Sequence, residues 1–303
     1  MHLAVGGIEE SSGDPFIMSA GGQLDQQIFP GPVDKDRIED LQVWSAMQAL
    51  AFWDVLCHPL SIQPGDDPPD RVISCGNRTW GVELTELTIQ DVRQDLAPVR
   101  TFGRKLQERL REQSDRFPHL RGRVVQLTKQ RDHAVPRQFI PMLEEIERAL
   151  EEDKGYFGEG SDWSAGVPQH IGDRGQYGDH GAFHILVNRT KSDDPVQVSA
   201  TSQFEIYRSK ALAALEARIT AKDKPGNDII VVTCGLPDRQ GYACPTDHDL
   251  FNVLREAAKE NVPTLAKPLA HAHGALIHLW GSNEIYALTE TDDVPWSTSA
   301  PNT

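Results

Sequence analysis

The sequence contains no apolar run that approaches the roughly 18 residues needed to cross a bilayer. Its first 30 residues also lack the basic start and apolar middle of a signal peptide. There is no internal repeat and no long tract of low complexity. These absences argue against membrane, secreted and repeat proteins, so we expect a globular cytoplasmic protein with no membrane partner.

Cysteine is scarce, and its spacing is irregular. Cys57, Cys75, Cys234 and Cys244 are scattered singly along 303 residues, whereas disulfide-stapled domains place many cysteines in a short chain. The spacing therefore predicts buried thiols and no disulfide framework.

No complete zinc pattern is present either. His271 and His273 form an H-x-H pair, and Cys244 precedes His248 by four residues. Structural zinc sites usually pair their ligands at short spacing twice over. His278 lies in the apolar run ALIHLW and is expected to be a strand residue with a bonded ring nitrogen.

Positive charge is in deficit, because the formal net charge is -15 at pH 7. Taken over the whole chain, this balance argues against a polyanionic partner. Between residues 93 and 137, however, 12 Lys and Arg stand against 5 Asp and Glu, a local excess of +7. This segment is either a surface that faces phosphates or a solvated basic helix face, and composition leaves both open.

Apolar periodicity divides the chain into alternating helices and strands. The predicted helices cover 36–57, 99–114, 136–152, 203–221 and 246–258, and the predicted strands cover 60–62, a hairpin within 68–87, 124–127, 183–187, 196–199, 228–234, 275–279 and 284–288. This order predicts an α/β fold with a mixed central sheet flanked by helices.

The predicted domain is single and spans residues 34–288. Residues 1–33 and 289–303 are rich in Gly, Pro and Ser without periodicity and are predicted to be flexible tails. Glycine recurs every few residues over 153–181, which predicts a long surface loop within the domain.

Residues 68–87, PPDRVISCGNRTWGVELTEL, are predicted to form a β-hairpin with Gly76 and Asn77 as its turn. The residue numbers of each cross-strand pair then sum to 153, so Asp70 lies opposite Glu83. Like charges in that position destabilise a strand pair unless something compensates them. A divalent cation does so, because hard cations prefer carboxylate oxygens. The alternative is two carboxylates that face solvent.

The opposite face of this hairpin is apolar and is predicted to enter a core. Its side chains are those of Ile73, Trp80, Val82 and Leu84.

The order of a helix, a short strand, a Pro-Asp strand, a Glu-x-Thr strand, a helix and a strand resembles the core of the PD-(D/E)xK nuclease superfamily, the restriction-endonuclease-like fold. The motif is similar to that of poorly characterised bacterial members. The resemblance covers roughly residues 36–128 and implies a restriction-endonuclease-like core with a C-terminal elaboration. It also implies that Asp70 and Glu83 hold Mg2+ (or Mn2+) near the scissile phosphate.

Thr85 occupies the position at which the family carries a lysine. A threonine hydroxyl can position water but has no positive charge. Either a cation from elsewhere replaces the lysine, or catalysis has been lost. Lys222, at the end of a predicted helix, and Lys105 are the candidates for the replacement.

The implied activity is metal-assisted hydrolysis of a phosphodiester bond, with DNA favoured as the partner and RNA left open. A homodimer is expected by analogy. Glu39 or Asp40 could add a third carboxylate, or could be plain charges at a helix N-terminus. The alternatives are an inactive nuclease-fold protein that binds nucleic acid or a protein, and a hydrolase of another phosphate ester. The residues expected to contact phosphates are Arg100, Arg104, Lys105, Arg109 and Arg111.

Overall fold

The computed structural model describes residues 3–20, 29, 32–52, 60–66, 68–88, 90–130, 134–135, 137–151, 156–157, 175–189, 194–202, 204–237, 241, 246–260, 265 and 267–290. Its helices and strands, in chain order, are β1 (Leu3–Ile8), β2 (Pro15–Ala20), α1 (Lys35–Phe52), β3 (Leu60–Pro64), β4 (Arg71–Cys75), β5 (Arg78–Glu86), α2 (Gln90–Glu112), β6 (Arg123–Lys129), α3 (Ile140–Glu151), β7 (Tyr156–Phe157), β8 (Gly175–His180), β9 (Phe183–Arg189), β10 (Gln197–Ser202), β11 (Phe204–Tyr207), α4 (Arg208–Lys222), β12 (Ile229–Cys234), α5 (Thr246–Lys259), β13 (Gly274–Leu279) and β14 (Ile285–Glu290).

The predicted mixed α/β class is confirmed, because helices accompany both parallel and antiparallel strands. Within the described residues the strands form three sheets, in the orders β1-β2-β11, β10-β6-β9-β8-β7 and β14-β13-β12-β5-β4-β3. The expected mixed sheet is therefore present, but the described residues also form other sheets. The same residues contain no helix long and apolar enough to span a membrane.

The chain divides into two compact units. Unit 1 comprises Met1–Ala4, Met18–Leu24 and Gln90–Phe204, and unit 2 comprises Val5–Ile17, Asp25–Ile89 and Glu205–Thr303. The sequence analysis treats 34–288 as one domain, whereas the structure assigns 90–204 to a unit of its own.

Unit 2 contains the six-stranded sheet, and α1 packs on one of its faces. Every residue of β12 and of β13 is buried, which is typical of parallel strands that are covered on both faces. The predicted apolar face of the hairpin is confirmed, because its four side chains join the core beneath α1. The core also contains Val43, Met47, Leu50, Ile229, Val231 and Leu276.

The strand that pairs with β5 on its other side, and the helix before that strand, lie far from β5 in the sequence. β12 pairs in parallel with β5 and is preceded by α4. The sequence analysis assigns these two positions to 99–114 and 124–127, which the structure instead places in unit 1 as α2 and β6. Order along the chain cannot reveal that more than 100 residues separate two paired strands.

Unit 1 contains the five-stranded sheet with α2 and α3. Val99, Phe102, Leu106 and Leu110 form the buried stripe of α2 against this sheet. The helix begins at Gln90, nine residues before the predicted start, and includes Pro98. An interior proline usually costs a helix about 3 kcal/mol, so a start before Pro98 is not what the local sequence favours.

Three other segments differ from the prediction. Residues 3–20, assigned to a tail, form β1 and β2, and β7 and β8 lie within 153–181. Residues 289–290 belong to β14. The rest of the predicted tails and loop lies outside the described residues, apart from Phe29, the loop before α1 and the turn at Gly181.

The cysteines also differ from the prediction. Cys75 is disulfide-bonded, so the prediction of a thiol there is wrong. Cys234 is a buried free thiol, as expected, and burial raises its pKa well above the usual value. Cys57 and Cys244 lie outside the described residues. Sequence spacing does not reveal which cysteines a fold brings within bonding distance.

His278 is the strand residue that the sequence predicts. It is fully buried in β13, and its Nε2 lies 3.3 Å from Ser45 Oγ on α1. Its Nδ1 is buried without a hydrogen-bond partner. Burial lowers the pKa of His278 from 6.5 to about 4, because the charged imidazolium is poorly solvated there.

This pKa predicts a pH dependence of stability. The unfolded chain takes up the proton near pH 6.5 and the folded chain only near pH 4, so stability is complete above pH 6.5 and is lost as pH falls through this window. We expect His278 to account for a loss of about 2–3 kcal/mol between pH 7.5 and 4.5. Urea unfolding of wild type and of His278→Gln, each at the two pH values just given, measures the contribution of His278 to this loss. Carboxylate titrations are common to both proteins, so equal losses would contradict the assignment.

Candidate active site

The hairpin of β4 and β5 has the predicted register. Its pairs run from Arg71 with Val82 to Cys75 with Arg78, and each pair sums to 153. Gly76 in the turn has φ of +59°, which a residue without Cβ adopts readily. Asp70 and Glu83 are the residues next to the last pair of this ladder, Arg71 with Val82.

Asp70 is fixed across the hairpin by its carboxylate. The side chain is buried, and Oδ2 accepts the backbone N–H of Leu84 at 2.8 Å. The backbone carbonyl of Asp70 accepts the N–H of Gly65 at 3.1 Å. One carboxylate oxygen of Asp70 is thereby held at the backbone of the residue that follows Glu83.

Glu83 combines deep burial with a half-satisfied carboxylate. The residue is 4% exposed, and Oε1 accepts a hydrogen bond from the ammonium of Lys222. Oε2 is buried and has no hydrogen-bond partner. A buried carboxylate is stable only when its charge is compensated, so the ammonium provides part of what this site needs. The second oxygen is an acceptor without a hydrogen-bond partner among the described residues.

The fold brings Lys222 to Glu83 through pairing in the sheet. Ile230 of β12 is the register partner of Glu83, and the short turn before β12 begins where α4 ends. Asn227 Nδ2 donates to the carbonyl of Lys222 at 2.8 Å and fixes the end of the helix. A basic residue in the last helical turn also matches the helix dipole.

Thr85 lies two residues beyond Glu83 on the same face of β5 and is buried. Its carbonyl accepts a hydrogen bond from Gln42 Nε2 at 3.0 Å, and the same amide group lies 3.0 Å from Thr233 Oγ1. Gln42 of α1 thus holds β5 and β12 together beside the site.

Sequence reasoning missed Arg71, which is buried behind the site. Its guanidinium donates to Glu39 Oε2 at 2.9 Å, to Asp40 Oδ1 at 2.8 Å, and to the carbonyls of Asp36 and Asp70 at 2.7 Å each. Glu39 and Asp40 are therefore the partners of an arginine that anchors α1 to the start of β4. The available signal was two adjacent acids in a helix that precedes a strand with a single arginine.

The donor set fits a magnesium ion. Mg2+ usually binds through one or two carboxylates and keeps several waters, so Asp70 and Glu83 suffice in number. The orphaned Oε2 of Glu83 is an unused acceptor of the right chemistry. The part of the chain that the structure describes contains no group of three or more His, Cys, Asp or Glu side chains placed to hold a metal ion.

The basic residues predicted to contact phosphates all lie on α2, in unit 1. Arg109 donates from Nε and Nη2 to the two carboxylate oxygens of Glu147, and these hydrogen bonds raise the pKa of Arg109. Lys105 Nζ lies 5.0 Å from the centre of the Phe139 ring, so this lysine packs within unit 1. Arg104 is exposed. Arg111 donates to the carbonyl of Val196 at 3.2 Å.

Comparison of the chain with protein-family models, with curated proteins and with solved structures finds no match.

The pair of Lys222 and Glu83 predicts coupled effects on stability. Lys222→Met leaves a buried carboxylate without its cation and should lower the free energy of unfolding by about 1–3 kcal/mol, less than for a fully buried pair because the lysine side chain is 32% exposed. Adding Glu83→Gln removes the charge and should restore most of the loss. Urea unfolding in EDTA of wild type, both single variants and the double variant gives the coupling energy.

Lys224→Met is the matched control, because Lys224 is exposed two residues away. It should change stability by less than about 0.5 kcal/mol. Strictly additive effects of Lys222→Met and Glu83→Gln would show that the contact carries no energy.

Proposed function

We propose that this protein is a metal-dependent nuclease that hydrolyses phosphodiester bonds of DNA or RNA. The observation that carries the proposal is the contact of the Lys222 ammonium with Glu83. Lys222 supplies from α4 the positive charge that Thr85, on β5, cannot supply.

The topology of unit 2 supports the same proposal. The elements α1, β3, β4, β5, α4 and β12 occur there in the order helix, strand, Pro-Asp strand, Glu-x-Thr strand, helix and strand. Strand β12 lies beside β5 in the sheet. The resemblance to the PD-(D/E)xK superfamily rests on the same order of elements, with α4 and β12 now in place of the segments 99–114 and 124–127.

In the proposed mechanism Asp70 and Glu83 hold Mg2+ or Mn2+, with Glu83 Oε2 as the oxygen that the protein leaves unused. When bound, the ion supplies a Lewis acid that acidifies water and neutralises charge on the phosphate. Lys222 stabilises charge on the phosphoryl oxygens, and the Thr85 hydroxyl hydrogen-bonds the attacking water. Water adds to phosphorus and gives up one proton, one P–O ester bond breaks, and the leaving oxygen takes up a proton, so that the products are a phosphomonoester and a free hydroxyl group.

Contacts from the exposed basic residues of α2 to backbone phosphates are also part of the proposal, and they imply binding that weakens as salt rises. A cytoplasmic location and a homodimer remain predictions from the sequence.

A second function is favoured by one observation, the threonine in the lysine position. A nuclease-fold protein that has lost turnover would still bind nucleic acid or a protein partner. It would not need acids at both Asp70 and Glu83, which is why we favour the enzyme.

The proposed activity predicts cleavage by wild-type protein with Mg2+ or Mn2+, and none in EDTA. The substrates are supercoiled plasmid, single-stranded DNA and RNA, followed on gels. Asp70→Asn, Glu83→Gln and Lys222→Met should each lower the rate at least about 100-fold, since each removes charge stabilisation at the phosphate. Lys224→Met should cleave at close to the wild-type rate.

Cleavage that survives the double variant Asp70→Ala with Glu83→Ala would remove the active-site assignment. Binding of nucleic acid without cleavage under all metal conditions would favour the inactive alternative. Loss of activity in Lys224→Met equal to that in Lys222→Met would show that the ammonium has no specific role.

A further inference from the structure

Unit 1 contains a cavity of about 820 Å3, where the end of α2 meets the loop that leads into β10. Residues between 110 and 121 form one wall, and residues 194–197 form the other. The N–H of Gly122 donates to the carbonyl of Asp194 at 2.9 Å and holds the two walls together. Small-molecule sites usually have volumes of about 300–1,000 Å3, so this cavity is large enough for a small organic ligand.

The buried part of the cavity lining is apolar. Leu110, Phe117 and Val196 are 0%, 2% and 6% exposed, and all three belong to the core of unit 1. Pro118 and Pro195 add exposed apolar surface to the lining. Because packing in the core fixes the buried residues, an apolar ligand body would meet a preformed surface, and the contact would release water from both.

Arg111 adds an oriented cation to this lining. Its Nε donates to the carbonyl of Val196 at 3.2 Å, and it makes no other hydrogen bond or ion pair among the described residues. The two terminal nitrogens of the guanidinium are therefore not used by the described part of the chain. A guanidinium binds a carboxylate well, because its parallel N–H groups match the two oxygens.

Asp115 adds an anion to the same lining, four residues after Arg111. Opposite charges at this spacing often pair along a helix. Asp115 nevertheless forms no ion pair or hydrogen bond with Arg111 or with any other residue that the structure describes. The cavity thus presents a positive and a negative group that do not neutralise each other.

The charge of the whole lining narrows the class of ligand. Its charged residues are Arg111, Arg121, Asp115 and Asp194, which sum to zero. A site for phosphates would need an excess of positive charge, so a polyanion fits this cavity poorly. A ligand with one carboxylate and one ammonium matches both of the unpaired groups.

We propose that unit 1 binds an apolar α-amino acid in this cavity. Its carboxylate contacts the Arg111 guanidinium, its ammonium contacts the Asp115 carboxylate, and its side chain covers Leu110, Phe117 and Val196. Of the five basic residues expected to contact phosphates, the proposal reassigns Arg111 to a small ligand. It does not depend on the nuclease function, because none of its residues belongs to the site at Glu83.

The test is isothermal titration calorimetry with three probes that share one apolar body, L-phenylalanine, 3-phenylpropionate and phenethylamine. Wild type should bind phenylalanine, and it should bind each of the other two at least about tenfold more weakly, since each lacks one charge-assisted hydrogen bond. Arg111→Met should lose the preference for phenylalanine over phenethylamine. Asp115→Asn should lose the preference for phenylalanine over phenylpropionate.

Arg104→Met is the matched control, because Arg104 is an exposed arginine of the same helix that does not line the cavity. It should bind all three probes as wild type does. Equal losses in Arg104→Met and Arg111→Met would overturn the proposal, because they would reflect general charge.

Two further outcomes would also overturn the proposal. One is the absence of phenylalanine binding at millimolar concentration. The other is binding of phenylpropionate or phenethylamine as tight as that of phenylalanine, which would show that the two charged groups are not read together. Normal circular dichroism of each variant excludes a folding defect as the cause of a loss.

Discussion

The burial of Glu83 is the constraint on which the account of unit 2 depends. A carboxylate that is 4% exposed in a sheet must be compensated by a cation. The chain meets this need with Lys222, whose position is set by the end of α4, by Asn227 and by the pairing of β12 with β5. The need is met at only one oxygen, and this incomplete compensation is what makes the site a candidate for a metal ion and a phosphate.

The same arrangement brings together Lys222 and Glu83, which are far apart in sequence. The residues of unit 1 from Gln90 to Phe204 lie between β5 and α4 in the chain. Pairing of β5 with β12 restores a continuous sheet within unit 2. A lysine on α4 can therefore contact the acidic strand β5. The guanidinium of Arg71 links α1 to the backbone carbonyl of Asp70, at the start of the hairpin.

Features that depend on residues close together in the chain could be predicted from the sequence. The Gly76 turn fixed the hairpin register, and alternation along β5 separated Glu83 from the apolar residues that enter the core. The pairing of β5 with β12 could not be predicted in this way, because nothing near either strand encodes a partner over 100 residues away. For the same reason the sequence assigned α2 to the wrong sheet and could not identify the partners of Arg71 or the disulfide at Cys75. Lys222 was reached only through the resemblance to known nucleases.

The most direct test of the central claim is a crystal structure of the protein grown with Mn2+, with an anomalous difference map calculated at the manganese edge. The account predicts a peak between the carboxylates of Asp70 and Glu83, at about 2.2 Å from the Oε2 atom of Glu83, as hard-cation ligation requires. A map with no peak at these carboxylates, in crystals where Mn2+ is bound elsewhere on the chain, would contradict it.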